Sequence, residues 1–131
     1  MPVTCDWDDD DNRIYVLHCT ELWTWEDFER AVDRAYRLLA SQSHDVDFVM
    51  QFNNYMPPGD AKKRLMYAGE QPTNLRDTVM LNEAGNLIKM ILRKVDKAKG
   101  WQGPAFAYSM EQAREAINTQ RRIHKTGVYA E

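Results

Sequence analysis

Short runs of β-forming apolar residues take turns with amphipathic stretches along this chain, and that alternation constrains the fold more than any other feature. Val46, Phe48, Met50 and Phe52 alternate with Asp47, Val49 and Gln51 in a run too short for a helix and rich in β-branched and aromatic residues, which predicts a strand. Thr78 to Leu81 predicts a second, buried strand and Ala105 to Tyr108 the last one. Between them, Trp25, Phe28, Val32, Ala35, Tyr36 and Leu39 recur at helical spacing behind Thr24, a capping residue with Asp27 three positions later. Ala84, Leu87, Ile88, Ile91, Leu92 and Val95 predict another helix ending before Gly100. Ala113, Ala116, Ile117 and Gln120 predict a final helix entered through Ser109 and Gln112. After Phe52, the segment Asn53-Asn54-Tyr55-Met56-Pro57-Pro58-Gly59 cannot extend a strand, because two prolines remove backbone donors, and a short helix from Asp60 to about Ala68 is expected beyond it.

Ahead of these units, Val3 to Trp7, the acidic run Asp8 to Asp11, and Arg13 to Cys19 read as an antiparallel hairpin. Its second strand is apolar on both sides and belongs inside the sheet, whereas the first, with Thr4 and Asp6 alternating outward, belongs at an edge. If the four aspartates form the turn, Cys5 stands opposite Ile14. Cys19 then lies about 17 Å further along the strand and on the other face, out of disulfide reach. The resulting order β-β-α-β-α-β-α-β-α requires crossovers, which are right-handed. It predicts an α/β fold in which an N-terminal hairpin is followed by βα repeats forming a mostly parallel sheet with helices packed on it. At 131 residues one core is expected, over residues 1–123, with 124–131 as a flexible tail because periodicity is lost there.

Several function classes are disfavoured by what is missing. No apolar stretch reaches the roughly 18 to 20 residues that span a bilayer, and Met1-Pro2-Val3-Thr4 opens without a signal pattern, so no membrane insertion and a cytoplasmic location are expected. In the run from Asp6 to Asn12, Asp11 stands where a calcium loop needs its glycine, and Leu17 where it needs a bidentate glutamate. His18, Cys19 and Glu21 are close in sequence, but strand neighbours point to opposite faces and do not converge on one ion. The glycines form no phosphate-binding loop and no G-x-S-x-G occurs. Lys89, Arg93 and Lys97 make a basic stripe on one helix of an otherwise acidic protein, which reads as a solvated face and not as a nucleic-acid interface. No catalytic residue, metal ligand or cofactor is assigned, and an enzyme is not expected.

Charge and aromatic placement point to contact surfaces instead. Residues 1–60 carry 13 acidic against 4 basic side chains, a balance of −9, and residues 61–131 carry 7 against 13, a balance of +6. Such a chain either intermixes its charges on folding or meets a charged partner through one side. The candidate binding residues are Trp23, Asn53, Asn54, Tyr55 and Asn82, which sit where loops leave the predicted strands. Trp23, with Tyr55 and the proline loop, is expected to be partly exposed as a small apolar patch to which Met56 and Met66 are candidates to contribute. A small-ligand pocket would be expected near Asn53, Tyr55 and Asn82.

The opening hairpin, Trp25-Glu26-Asp27-Phe28 at the first helix, the strand Val46-Asp47-Phe48-Val49-Met50, Pro72-Thr73-Asn74-Leu75 ahead of Val79-Met80-Leu81, and Ser109-Met110-Glu111-Gln112-Ala113 together resemble the STAS-like fold. That is the domain of sulphate transporters and bacterial anti-sigma-factor antagonists, and small STAS-like proteins of bacteria share these features. The resemblance runs from about Val3 to Gln120. It implies a non-enzymatic regulatory or protein-interaction module whose partner is another protein or a second copy of itself. The antagonists' phosphorylated serine has no counterpart, because Gln51 to Met56 contains no serine or threonine. The alternatives are a small-ligand or lipid-binding carrier and a self-assembling structural protein.

Overall fold

The computed structural model describes residues 2–59, 63–64, 71–93 and 105–126. Its elements run β1 (Val3–Trp7), β2 (Ile14–Cys19), α1 (Trp25–Ala40), β3 (Val46–Phe52), β4 (Leu75–Leu81), α2 (Asn86–Arg93), β5 (Ala105–Ala107) and α3 (Met110–Thr126). The five strands form one sheet in the order β1-β2-β3-β4-β5. β1 is antiparallel to β2 and the other pairs are parallel, with Val49 beside Val16 on one side and Val79 on the other. The fold is therefore α/β with a mixed, mostly parallel sheet, and β3 and β4 are co-directional neighbours as the apolar spacing predicts.

Period-two alternation sends side chains into two cores. Tyr15, Leu17, Cys19, Phe48, Met50, Phe52 and Met80 meet the apolar stripe of α1, where Trp25, Phe28, Val32, Ala35, Tyr36 and Leu39 are all buried. On the opposite face Ile14, Val16, Val49, Val79, Leu81 and Ala107 meet Ala113 and Ile117 of α3. Thr24 Oγ1 accepts from Asp27 N (3.1 Å) to cap α1, and Ser109 Oγ accepts from Gln112 N (3.1 Å) to cap α3. At the far end of α1, Asn74 Nδ2 donates to the carbonyls of Leu39 (2.7 Å) and His44 (3.0 Å), which fastens the helix end to the start of β4.

Four expectations are corrected or bounded. The hairpin turn is longer than the aspartate run: Asp8 N donates to Ile14 O (2.9 Å), Asn12 takes φ 53°, and Asp9 Oδ1 accepts from Arg13 N (3.2 Å). Trp7 therefore faces Tyr15, and Cys5 faces Leu17. The three-residue shift changes parity, so Cys5 and Cys19 share the α1 face instead of opposing faces, and both are free thiols. β4 begins at Leu75 rather than Thr78, paired from Val46 onward, and its first four residues, only half buried and without an apolar run, leave no strand signal in the sequence. Opposite Val46–Phe48 this early part of β4 holds one extra residue, and there the fully buried Asp47 accepts from Asp77 N through Oδ1 (3.2 Å). The predicted helix from Asp60 to about Ala68 lies mostly outside the described residues, with Lys63 and Arg64 helical. α3 continues through Thr126, so the stretch expected as a tail from His124 starts inside a helix, while 127–131 lie outside the described residues.

One ion pair joins the hairpin turn to α3, 106 residues further along the chain. Arg114 of α3 donates from Nε to Asp8 Oδ2 (2.8 Å) and from Nη2 to Asp8 Oδ1 (2.7 Å), a two-pronged contact onto the hairpin turn. These hydrogen bonds hold the Asp8 carboxyl below its ordinary value of 3.8. A depressed folded value means that the pair's contribution is present in full above 3.8 and is lost as pH falls through the lowered value. In denaturant melts from about pH 7 to about pH 2.5, Arg114→Gln is expected to be less stable than the parent by a constant amount at the upper end, with the gap closing below 3.8. A gap independent of pH would show that the contact contributes no linkage.

Candidate functional site

In a parallel sheet buried on both faces, the places left for recognition are the strand ends, and ligands and partners gather where loops leave the carboxyl ends. Here the carboxyl ends of β2, β3 and β4 lie side by side, with Cys19 opposite Phe52 and Gln51 opposite Leu81. Three loops rise from this edge: Thr20–Thr24, Asn53–Gly59 and Asn82–Gly85.

Asn53 is the hub that joins the first two. Its backbone N donates to Cys19 O (3.2 Å), its Nδ2 to Glu21 O (2.9 Å), and its Oδ1 accepts from Trp23 Nε1 (3.1 Å) and Tyr55 N (3.2 Å). Asn82, 1% exposed, does the same for the third loop. Its Nδ2 donates to Phe52 O (3.0 Å), Asn53 O (3.3 Å) and Asn54 Oδ1 (3.2 Å), and its N donates to Ala107 O (3.1 Å). Both asparagines thus satisfy carbonyls and N–H groups that strand ends would leave unpaired. The predicted cluster of Asn53, Asn54 and Asn82 is real in space, and much of its hydrogen-bonding capacity goes into holding the loops.

Two clefts flank the Thr20–Thr24 ridge. One, of about 330 Å³, is lined by His18, Thr20, Gln51, Asn53, Asn54 and Glu83, among others. The other, of about 370 Å³, is walled by Trp23, Trp25, Tyr55, Pro57, Pro58 and Arg64. Tyr55 therefore belongs to the second cleft, away from Asn82. The proline loop is seated on Trp25, whose Nε1 donates to Pro58 O (3.0 Å). Arg64 lies 6.0 Å from the centre of the Trp25 ring and 3.1 Å from Glu29 Oε1, an ion pair without hydrogen-bond alignment at Nε.

Trp23 is not the exposed aromatic that its loop position suggests. It is 1% exposed, packed edge-on to Trp25 with ring centres 5.0 Å apart and against Phe28 and Phe52. The reason is its indole N–H, which Asn53 accepts, so the whole ring can be buried without a lost donor. The neighbouring residue takes the exposed position: Leu22 is 73% exposed. It follows Glu21 at φ 53°, a left-handed conformation uncommon for a non-glycine residue and held here by Asn53 Nδ2 on the Glu21 carbonyl. The sequence signal was available only as Leu22's lack of any periodic partner. At the same edge Tyr108, 46% exposed, closes over Gly85, where a Cβ would stand 2.9 Å from the tyrosine ring.

The chemistry of the remaining groups is quiet. His18 Nε2 lies 3.0 Å from Asp6 Oδ1 across the hairpin, while Cys19 points into the α1 core, so the two do not converge, and Glu21 is held by its backbone. Burial pushes the Cys5 thiol up to about 11 and the Cys19 thiol further up, which keeps both protonated and poorly nucleophilic near neutrality. Among the described residues no group of three or more His, Cys, Asp or Glu side chains is arranged to hold a metal ion, and no helix is long and apolar enough to cross a membrane. Met66 and Lys97 lie outside the described residues. A larger cavity of about 640 Å³ lies away from this edge, between β4, β5 and α3, walled by Val79, Ala105, Ala116 and Ile117. No family model, curated protein or solved structure matches the chain.

Removing the Asn53 carboxamide strands the buried Trp23 N–H, and Asn53→Ala is expected to cost about 1–3 kcal/mol in urea denaturation. Glu21→Gly is expected to go the other way, by up to about 1 kcal/mol, because glycine accepts positive φ without a Cβ penalty. An unchanged Asn53→Ala midpoint would deny the asparagine its organising role.

Proposed function

We propose that this chain is a STAS-like, non-enzymatic regulatory module that binds a protein partner through the loops at the carboxyl edge of its sheet, with Leu22 as the apolar anchor. The observation that carries this reading is Leu22 itself. A large aliphatic side chain is held out in solvent at 73% exposure by a left-handed residue and an asparagine clamp, between two clefts. Fixed hydrogen bonds keep it there against the strain at Glu21, which lowers the ordering cost of binding. The opening hairpin and the run of parallel crossovers support the STAS-like assignment, and the absence of serine or threonine in Gln51 to Met56 argues for a constitutive module without a phosphate switch at that position.

Affinity capture from the native organism at low ionic strength tests this. The parent and Lys89→Glu, a change at an exposed position of α2, are expected to retain the same protein, and Leu22→Asp to lose it by about tenfold or more in affinity with its melting temperature unchanged. Capture that ignores Leu22, or no capture at all, would defeat the proposal.

A second reading, carriage of a small apolar ligand, is favoured by one observation, the 640 Å³ cavity under α3. It sits well away from the Asn53, Tyr55 and Asn82 neighbourhood where a pocket was expected. Native mass spectrometry of the purified chain is expected, on this reading, to show an added mass that disappears in Ala116→Phe. An unadorned mass removes it.

A further inference from the structure

Two carboxylates at the carboxyl edge have no structural use. Glu21 and Glu83 are exposed, lie on loops outside any helix, and their side chains make no ion pair or hydrogen bond among the described residues. Glu26 is also exposed nearby, but it stands in the first turn of α1, where the helix dipole accounts for it. Among the described residues the basic side chains lining the two clefts are already engaged: Arg64 faces Glu29 at 3.1 Å and the His18 ring faces Asp6 at 3.0 Å. The N-termini of α1 and α3 are occupied by their caps Thr24 and Ser109. Among the described residues no basic side chain pairs Glu21 or Glu83, so the rim around Leu22 carries two unpaired carboxylates, with the N-terminus of α2 at Asn86 as the positive end beside them, an arrangement that disfavours phosphates and nucleic acid and favours cations.

The first cleft adds a second constraint. Its floor is built of carboxamides, and the Gln51 side chain and the Asn54 amide nitrogen make no hydrogen bond among the described residues, while Asn53 and Asn82 are committed to the loops. Carboxamides offer a donor and an acceptor in one plane, which matches a peptide group. We infer that the occupant of this edge is an extended segment of the partner that presents lysine or arginine to Glu21 and Glu83 and an apolar side chain to Leu22. This rests on the edge being the interface.

Panning a phage-displayed library of short random peptides against the full chain tests it, with enriched peptides synthesised and titrated against the parent, Leu22→Asp and Glu21→Gln/Glu83→Gln. The expected result is enrichment of peptides with lysine or arginine flanking an apolar residue. Their affinity should fall about fivefold in the double glutamine variant, from two rim pairs, and should weaken with added salt. Neutral or acidic enriched peptides, or affinity indifferent to both glutamates, would overturn the cationic occupant. If those peptides still require Leu22, the interface survives. Peptides indifferent to Leu22, or none selected, sink the inference and the interface together. Both glutamates are exposed, and matching melting curves for parent and variants confirm that the readout is binding.

Discussion

Everything in this molecule follows from a sheet whose inner strands are buried on both faces. β2 and β3 hold Tyr15, Leu17, Phe48 and Met50 toward α1 and Ile14, Val16 and Val49 toward α3, so no polar group on those strands has a place in solvent except near an end. The one acidic residue buried on them, Asp47, serves the backbone of β4. With both faces closed by helices, the strand ends are what stays open to a ligand or partner, and the loops there inherit the backbone N–H and carbonyl groups that the ladder no longer pairs. Those unpaired groups must be satisfied before a loop can be ordered. That requirement is what places asparagine at 53 and 82.

The two asparagines do different amounts of work for each neighbour. Asn82 ties the ends of β3, β4 and β5 together and is itself buried, so it acts as part of the sheet. Asn53 couples two loops and, through the Trp23 indole, the core beneath them. A single side chain thereby links the burial of Trp23 to the exposure of Leu22: accepting the indole N–H draws the ring inward, and donating to the Glu21 carbonyl fixes the turn that sends the next side chain outward. The preorganisation of the Leu22 turn arises here from ordinary hydrogen-bond satisfaction, and it is the property on which the proposed anchor role rests.

This coupling also marks how far the sequence could be read. Strand and helix identities were legible because burial on two faces writes a dense apolar record, as in Val46 to Phe52, and the caps Thr24 and Ser109 are local signals. The clustering of Asn53, Asn54 and Asn82 was legible because each directly follows a strand or sits one residue beyond it. Hairpin register was not, since it depends on which of several polar residues takes the left-handed turn conformation, and Asn12, outside the aspartate run, is that residue. The first half of β4 was not legible because Leu75 to Thr78 is only half buried and carries no apolar run. Trp23 is buried against expectation for a tertiary reason, a hydrogen-bond partner thirty residues away that no local pattern displays.

The charge asymmetry of the chain is settled in the same way, by where the fold brings the halves together. Arg114 from the basic half reaches Asp8 at the hairpin turn in the acidic half, and Arg64 reaches Glu29, so part of the imbalance is consumed inside the molecule. What stays uncompensated is set by position along the strands. The hairpin turn lies at the end of the sheet where β2 begins, within reach of α3, whereas Glu21 and Glu83 lie where β2 and β4 finish, among carboxamides and without a basic partner among the described residues. A surplus of acid in the sequence thus becomes a localised negative rim in the fold, next to a fixed apolar side chain. Selectivity for a cationic segment needs that juxtaposition more than it needs net charge.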